Sequence, residues 1–216
     1  MTLTLYMAAG SCSLATQIAL EEAGADYQIK ALLMAKGEQR EASYLAINPR
    51  GRVPALIINN QPINETVAIL TYVSHHYPDA QLLPFNDSVR LAKAYERMGW
   101  YSSGLHVGIA QMWRTGRYTA DEAAWPGIQD AGRATLELGF AEIDEALTGP
   151  WVLGEDYSVV DGYTQVFWRW GERMGIDMSQ YRSWAAHSQR MLERPAVIRA
   201  LAAEKQANEA RLAPAP

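Results

Sequence analysis

Cys12, the single cysteine of the chain, is the residue whose type and position most clearly suggest chemistry. It lies where a predicted strand over residues 2–7 gives way to a predicted helix over residues 13–22. A thiol at a helix N-terminus faces unpaired backbone N–H groups and the positive end of the helix dipole, which favour the thiolate. The position therefore predicts a Cys12 pKa below the usual value of about 8.5, the alternative being an inert buried cysteine. Either flanking hydroxyl, on Ser11 or Ser13, is expected to hydrogen-bond a bound sulfur or to cap the helix.

Two further segments have the composition of a ligand site. Pro54 enters a predicted strand and donates no ladder hydrogen bond. A cis Val53–Pro54 bond would expose the Val53 backbone to an extended ligand, although the trans form is commoner. Glu65 and Thr66 open another predicted helix, whose N–H groups can hold a carboxylate while Glu65 accepts from an ammonium group. The alternative there is ordinary helix capping by Asn64.

These three features together describe one kind of ligand. A helix N-terminus that handles a thiol, an exposed extended backbone and a clamp for a carboxylate and an amine would suit a small peptide with a central sulfur. Glutathione fits this description.

The elements that must position these residues fall into two groups. Alternation and helical spacing predict the order β-α-β-α-β-β-α, with strands at 2–7, 27–33, 53–58 and 61–63 and helices at 13–22, 38–46 and about 66–77. Residues 87–216 lack strand alternation, and the predicted helices there run over 88–113, 126–147, 158–170, 181–193 and 195–207. We therefore predict an α/β plus all-α chain, with a thioredoxin-like domain at 1–80 and an all-helical domain at 87–216. The Ala/Pro tail from Ala213 is expected to fray.

Composition excludes several other classes of protein. The 216 residues include 19 Lys and Arg against 24 Asp and Glu, a net charge of −5, which disfavours nucleic-acid binding. No apolar run approaches the roughly 18 residues of a membrane span, so no membrane partner is expected. One cysteine forms no internal disulfide and supports no cysteine-based zinc site, so we expect a cytoplasmic protein without a metal.

Several segments, taken in order, resemble bacterial glutathione transferases, most closely the beta class. They are Gly-Ser-Cys-Ser-Leu-Ala at 10–15, Ala-Leu-Glu-Glu-Ala-Gly at 19–24, Asn-Pro-Arg-Gly-Arg-Val-Pro-Ala-Leu at 48–56 and Glu-Thr-Val-Ala-Ile at 65–69. In the helical half, residues 158–161 look like the internal N-capping box of that fold, and residues 193–197 like a late helix boundary. The resemblance implies a homodimer, glutathione as co-substrate and a role in detoxification.

The resemblance also assigns roles to single residues of the first half. Cys12 matches the beta-class cysteine that lies beside the glutathione sulfur and can form a mixed disulfide with it. Val53 and Pro54 match the loop that pairs with the glutathione backbone. Glu65 and Thr66 match the pair that holds its γ-glutamyl end.

Further positions extend the expected site on both sides of the peptide. Arg52, next to the pairing loop, and Lys36, where the family often places a lysine near the glycine carboxylate, are expected to bind glutathione. His106 matches a helical-domain histidine that lines the active site, with catalytic and binding roles; without the resemblance it reads as a satisfied interdomain histidine. Trp113 and Trp168 are expected to line an apolar pocket for a small apolar electrophile.

The function predicted from the sequence is that of a glutathione transferase. The helix dipole and donors from the turn at residues 11–13 are expected to stabilise the glutathione thiolate, which attacks an electrophilic carbon. One alternative is a glutathione-dependent thiol–disulfide or dehalogenating reductase that uses Cys12 in a mixed disulfide. Another is a transferase-like binding module without enzymatic activity.

Overall fold

A four-stranded sheet forms the first layer of the structure. The computed structural model describes residues 2–212, and its strands are β1 (Leu3–Met7), β2 (Gln28–Ala31), β3 (Ala55–Ile58) and β4 (Gln61–Asn64). They lie in the order β2-β1-β3-β4, with β1 and β2 parallel and the other pairs antiparallel. Asn59 and Asn60 both have positive φ, as a two-residue hairpin turn between β3 and β4 requires. The predicted hairpin is confirmed.

Helices make up most of the remaining chain. They are α1 (Ser13–Glu22), α2 (Ala42–Leu45), α3 (Thr66–His76), α4 (Ser88–Trp100), α5 (His106–Trp113), α6 (Trp125–Ala146), α7 (Val159–Arg173), α8 (Arg182–Glu193) and α9 (Pro195–Leu212). The order β1-α1-β2-α2-β3-β4-α3 followed by helices confirms the predicted fold class, a thioredoxin-like unit before an all-helical one. The predicted fraying from Ala213 lies outside the described residues.

The single long helix predicted over residues 88–113 is wrong in its middle. α4 and α5 are joined by one π-helical stretch, Tyr101–Leu105. Its first side chain, Tyr101, is fully buried and shares a 2.8 Å hydrogen bond with the Thr164 hydroxyl of α7. The wider turn places His106 at the start of α5, and such interruptions occur often at functional sites.

The weak helix predicted over residues 38–46 is also divided. Gly37 has a φ of 76°, and a short 3₁₀ turn over Glu38–Arg40 follows it. Glu41 is then extended, so only Ala42–Leu45 is α-helical. The Glu38 carboxylate accepts from the Leu33 N–H at 2.8 Å, which fixes the turn rather than extending a helix.

α7 is the central helix of the helical half and is buried along most of its length. Ser158 caps its N-terminus, and the Asp161 side chain accepts from the Ser158 N–H at 2.8 Å, so the predicted capping box is confirmed. Asp161 also bonds the Val152 N–H at 2.8 Å and the His187 ring at 2.9 Å. This buried carboxylate is thus fully partnered and structural.

The two halves share one extended interface. α1 packs against α3, α7 and α9, so the helix that follows Cys12 is held by both halves. This packing of α1 fixes the position of the loop at residues 8–12, here called the cysteine loop, relative to the helical half.

No helix within residues 2–212 is long and apolar enough to cross a lipid bilayer.

Candidate functional site

A cavity of about 610 Å³ opens between the N-terminal loops and the helical half. Its walls include the cysteine loop, the Val53–Pro54 segment, the start of α3, and parts of α5 and α7. Most of the predicted site residues line it together: Ser11, Cys12, Arg52, Val53, Pro54, Glu65, Thr66 and His106. The fold thus brings four separate segments of the sequence to one opening.

Cys12 is the N-cap residue of α1, as predicted, but the expected low pKa is wrong. The side chain is only 6% exposed, and burial raises the pKa of the thiol to about 11. The Thr66 hydroxyl and Arg52 act in the opposite direction, while Glu65 adds to the increase. Desolvation is the largest of these contributions and outweighs the hydrogen bonds from the Thr66 hydroxyl and the Cys12 N–H, which lower the pKa. Cys12 is therefore a neutral thiol, and its Sγ donates to the Val53 carbonyl at 3.5 Å.

The two flanking hydroxyls bond each other rather than face the thiol. Ser11 Oγ and Ser13 Oγ lie 2.8 Å apart, Ser11 Oγ donates to the Ala8 carbonyl at 2.7 Å, and the Ser13 N–H donates to Ser11 Oγ at 3.2 Å. Ser13 is fully buried and is not among the lining residues, whereas Ser11 is. The serines shape the turn.

The loop before β3 presents the Val53 backbone to the cavity. The Val53–Pro54 peptide bond is cis. The Arg52 carbonyl accepts from Tyr44 Oη at 2.6 Å and from Asn48 Nδ2 at 2.7 Å, which fixes the residue just before it. Within the described chain, the Val53 N–H donates to no protein acceptor. An extended peptide can pair with it as an added strand.

Glu65 and Thr66 form the opposite end of the site. Glu65, not Asn64 as in the alternative above, is the N-cap residue of α3, and its side chain makes no capping hydrogen bond. Its φ of 76° is costly for a residue with a Cβ, on the order of 1–3 kcal/mol, and such conformations cluster at ligand sites. The Glu65 carboxylate is 61% exposed and lies 3.7 Å from Arg50, while Thr66 is buried at the first turn. An ammonium group and a carboxylate can therefore bind side by side here.

His106 faces the same cavity from the start of α5. Its ring lies 5.0 Å from the Trp170 ring, centroid to centroid. Burial, followed by the charges of Arg52, Arg117 and Arg114, lowers the pKa of His106 to about 4. The imidazole is neutral at neutral pH, so it can donate or accept a hydrogen bond but supplies no charge.

Two predicted residues lie away from the cavity. Lys36 is exposed at the end of a 3₁₀ turn and is not among the lining residues; Met34 of the same turn is. The prediction for Trp168 is wrong, because its indole donates to Glu172 at 3.0 Å and packs on Trp184 outside the cavity. Trp170, two residues further along α7, lines the cavity instead, together with the predicted Trp113.

Sequence reasoning missed several lining residues of the helical half. Tyr163 of α7 is buried beside Cys12 and Thr66, and burial raises the pKa of its phenol well above the usual value. Its spacing on α7 marks it only as a core position. The missed side chains also include three arginines at the end of α5, in the turn that follows it and in α7, which form the helical wall of the cavity: Arg114, Arg117 and Arg173.

The helical half also holds the backbone of the cysteine loop. The Gly10 carbonyl accepts from Trp170 Nε1 at 2.9 Å and from Arg173 Nη1 at 3.2 Å. The Gly10 N–H donates to Glu204 Oε1 at 3.0 Å, and the other oxygen of that carboxylate accepts from Arg169 at 3.0 Å. The backbone of Gly10, two residues before Cys12, is thus held by both α7 and α9.

Comparison with known proteins places this site in a family. Residues 1–75 match the glutathione S-transferase N-terminal domain. Glutathione S-transferase GstA of Escherichia coli O157:H7 is 34% identical over 203 residues, which cover 93% of this chain and 98% of that protein. A Sulfitobacter glutathione transferase homologue, solved with bound glutathione, has a TM-score of 0.88 and 34% identity, with 95% of this chain and 97% of that chain covered. A beta-class glutathione S-transferase of Sphingomonas chungbukensis has a TM-score of 0.82 and 30% identity, with 93% and 98% covered.

The fold and the cavity define a two-domain protein with a thioredoxin-like half. The chain belongs to the glutathione S-transferase family. The prediction of a glutathione transferase enzyme is confirmed at this level.

Proposed function

We propose that this protein binds glutathione along the cavity and transfers it, through sulfur, to an electrophilic carbon. The observation that carries the proposal is the convergence of Cys12, Val53, Glu65 and Thr66 on one opening. Glutathione would lie with its γ-glutamyl group at the start of α3 and its cysteinyl backbone against Val53. This arrangement would place the glutathione sulfur beside Cys12, in keeping with the order of groups along the tripeptide.

Two parts of the tripeptide, the γ-glutamyl end and the cysteinyl backbone, meet suitable partners. The exposed Glu65 carboxylate accepts from the γ-glutamyl ammonium, and the first N–H groups of α3 with the Thr66 hydroxyl bind its α-carboxylate. The free Val53 N–H donates to the cysteinyl carbonyl, and the Val53 carbonyl accepts from the cysteinyl N–H. These contacts fix the sulfur without a charged residue at the reaction centre.

The neutral Cys12 thiol sets the chemistry at the sulfur. The Ser13 N–H and both flanking hydroxyls are bonded within the turn, whereas the Cys12 S–H donates to the Val53 carbonyl at 3.5 Å and would turn to the incoming sulfur as the cysteinyl N–H takes its place on that carbonyl. In the proposed step, glutathione loses its thiol proton to solvent, and the Cys12 S–H and N–H groups stabilise the thiolate. The thiolate then bonds to the electrophilic carbon as the leaving group departs with the electron pair of the broken bond.

The raised pKa of the Cys12 thiol also favours conjugation over exchange through a mixed disulfide. A thiol with a pKa of about 11 is a poor nucleophile near neutral pH, since the thiolate is the attacking form. Replacing Cys12 with Ala is expected to reduce conjugation of 1-chloro-2,4-dinitrobenzene by less than about tenfold. Thiol–disulfide exchange by the wild type that is lost in a folded Cys12→Ala protein, with no conjugation by either protein, would favour the exchange mechanism.

Glutathione binding tests the proposal most simply. We expect calorimetry to show binding at millimolar glutathione or below, weakened about tenfold or more in Glu65→Gln and Thr66→Val because charge-assisted hydrogen bonds are lost. Thr66→Ser, which keeps the hydroxyl, and Glu155→Gln, an exposed site outside the cavity, serve as controls. Absence of binding to the folded wild type would contradict the proposal.

We further propose a beta-class-like homodimer that acts in the cytoplasm in detoxification. The support is the cysteine loop with Cys12 and the similarity to a beta-class enzyme of solved structure. Light scattering during gel filtration should give about twice the 24.0 kDa mass of one chain. A monomer at micromolar concentration would contradict the dimer.

A further inference from the structure

We propose that the helical wall of the cavity binds a carboxylate on the second substrate, so that the preferred electrophiles are aromatic and anionic. This inference rests on the proposed function and names the substrate class for the same site. It replaces the small apolar electrophile expected from the sequence.

The first support is the charge balance of the cavity. Among the described residues that line it there are four arginines, Arg52, Arg114, Arg117 and Arg173, and a single acidic residue, Glu65. The whole chain, in contrast, carries a net charge of −5. Positive charge is therefore concentrated at this opening, and a cleft of one sign attracts ligands of the other.

The second support is that three of these cations lack an acidic partner. Arg52, Arg114 and Arg117 form no ion pair with any acid in residues 2–212. Partial burial and the charges of the nearby Arg114 and Arg52 lower the pKa of Arg117. Like charges held close together are unfavourable, and a bound anion would relieve the repulsion.

The third support is the local backbone at the end of α5. The helix stops at Arg114, whose φ and ψ leave the helical region, and a 3₁₀ turn over Thr115–Arg117 follows. Arg114 and Arg117 are three residues apart across this turn and both line the cavity. Two guanidinium groups in this arrangement can each direct paired N–H donors at one carboxylate.

Aromatic side chains complete the wall beside the arginines. Trp113 and Trp170 lie 6.2 Å apart and nearly perpendicular, and the Arg173 guanidinium lies 5.2 Å from the Trp113 ring. Arg173 also donates to the Gly10 carbonyl, so its guanidinium positions the cysteine loop and has fewer N–H donors left for a ligand. A flat ring can stack here while its carboxylate reaches Arg114 and Arg117.

A matched pair of substrates tests this inference. 4-Chloro-3-nitrobenzoate and 4-chloro-3-nitrobenzamide carry the same reactive carbon; the thiolate sulfur bonds to it, and chloride leaves with the electrons of the C–Cl bond. We expect the double variant Arg114→Gln/Arg117→Gln to lose at least about tenfold in kcat/KM with the benzoate and less than about threefold with the benzamide. Its KM for glutathione should not change, and Arg182→Gln, exposed on α8 and outside the cavity, should match the wild type.

Three outcomes would overturn the inference. Equal losses with both electrophiles, no loss with either, or a higher KM for glutathione would each show that the arginines do not select an anionic second substrate. If the wild type turned over the benzamide while any of these occurred, the proposed function would stand without the inference. If it turned over neither electrophile, calorimetric binding of 3-nitrobenzoate, lost in the double variant and absent for 3-nitrobenzamide, would support the anion site alone; no difference between these two ligands would overturn it.

Discussion

At the scale of single residues, burial decides the protonation states in this site. Cys12 and His106 line the same cavity, and desolvation moves both toward their neutral forms, the thiol upward and the imidazole downward in pKa. A site of neutral donors next to several arginines can stabilise a bound anion, and Glu65 is the single acid among the described lining residues.

The thiol of Cys12 is expected to react slowly with iodoacetamide. A pKa near 11, against about 8.5 for an unperturbed thiol, lowers the reactive thiolate fraction about 300-fold at neutral pH. Mass spectrometry of the alkylated protein should show a rate that still rises tenfold per pH unit between pH 7 and 10. The protein unfolded in urea provides the reference. A rate that levels off below pH 8 would show that the helix dipole outweighs burial.

His106 is expected to reduce stability as the solution becomes acidic. Its pKa is about 4 in the folded protein and near 6.5 when unfolded, so the unfolded chain binds more protons between these values. The free energy of unfolding should therefore fall as the pH drops from 6.5 to 4. In urea titrations, His106→Gln should lose part of this slope, whereas His75→Gln, exposed on α3, should keep it. Identical slopes in wild type and His106→Gln would contradict the neutral imidazole.

At the scale of elements, the cysteine loop depends on helices far away in the sequence. Gly10 has a φ of 71°, and a Cβ there would collide with the Arg173 guanidinium. Its backbone is bonded on one side by α7 and on the other by Glu204 of α9. The last helix of the described chain thus positions residues at the reaction centre.

Glu204→Gln should therefore affect catalysis as well as stability. One amide oxygen cannot serve both the Gly10 N–H and Arg169, so one partly buried donor loses its acceptor at a cost of about 1 kcal/mol. We expect kcat with 1-chloro-2,4-dinitrobenzene to fall severalfold while the folded fraction in the assay stays near complete. Glu209→Gln, whose 3.9 Å pair with Lys205 is exposed, is the control. Unchanged kcat in a destabilised Glu204→Gln protein would show a purely structural role.

At the scale of the whole molecule, ion pairs join the two halves around α1. Arg194 makes two bonds to Glu22, at 2.6 and 2.9 Å, and its guanidinium lies 3.8 Å from the Tyr157 ring. Its side chain is 27% exposed and that of Glu22 is 12% exposed. Such a shielded, bidentate and stacked pair contributes more than a surface pair.

Arg194→Ala is expected to lower the free energy of unfolding by about 2–3 kcal/mol, since it leaves Glu22 poorly solvated and exposes Tyr157. Chemical denaturation followed by tryptophan fluorescence measures the change. Lys205→Ala, which removes an exposed pair, should stay within about 0.5 kcal/mol of wild type. Equal effects of the two substitutions would contradict a special role for Arg194.

The sequence predicted the parts of this molecule that depend on local pattern. Alternation marked β1, and small residues before Cys12 marked the loop that meets α1. The contiguous pairs Val53–Pro54 and Glu65–Thr66 were also recognisable, because their chemistry lies in neighbouring residues. Their common cavity follows from the order of elements.

Features that depend on packing were beyond the sequence. The burial of Cys12 reverses the direction of the expected pKa shift, and it depends on the packing of α1 against α3, α7 and α9. The choice of Trp170 over Trp168 depends on the rotation of α7 against the cavity, which helical spacing alone does not fix. The arginines of the helical wall near the end of α5 are positioned by the π-helical stretch before α5 and the 3₁₀ turn after it, and the amphipathic pattern of residues 88–113 indicates neither feature.

A crystal structure with glutathione bound is the most direct test of the proposed site. We predict the sulfur within hydrogen-bond distance of Cys12, the cysteinyl backbone paired with Val53, and the γ-glutamyl group on Glu65 and Thr66. Density for the tripeptide outside this cavity, or reversed within it, would contradict the proposed binding mode and the function built on it.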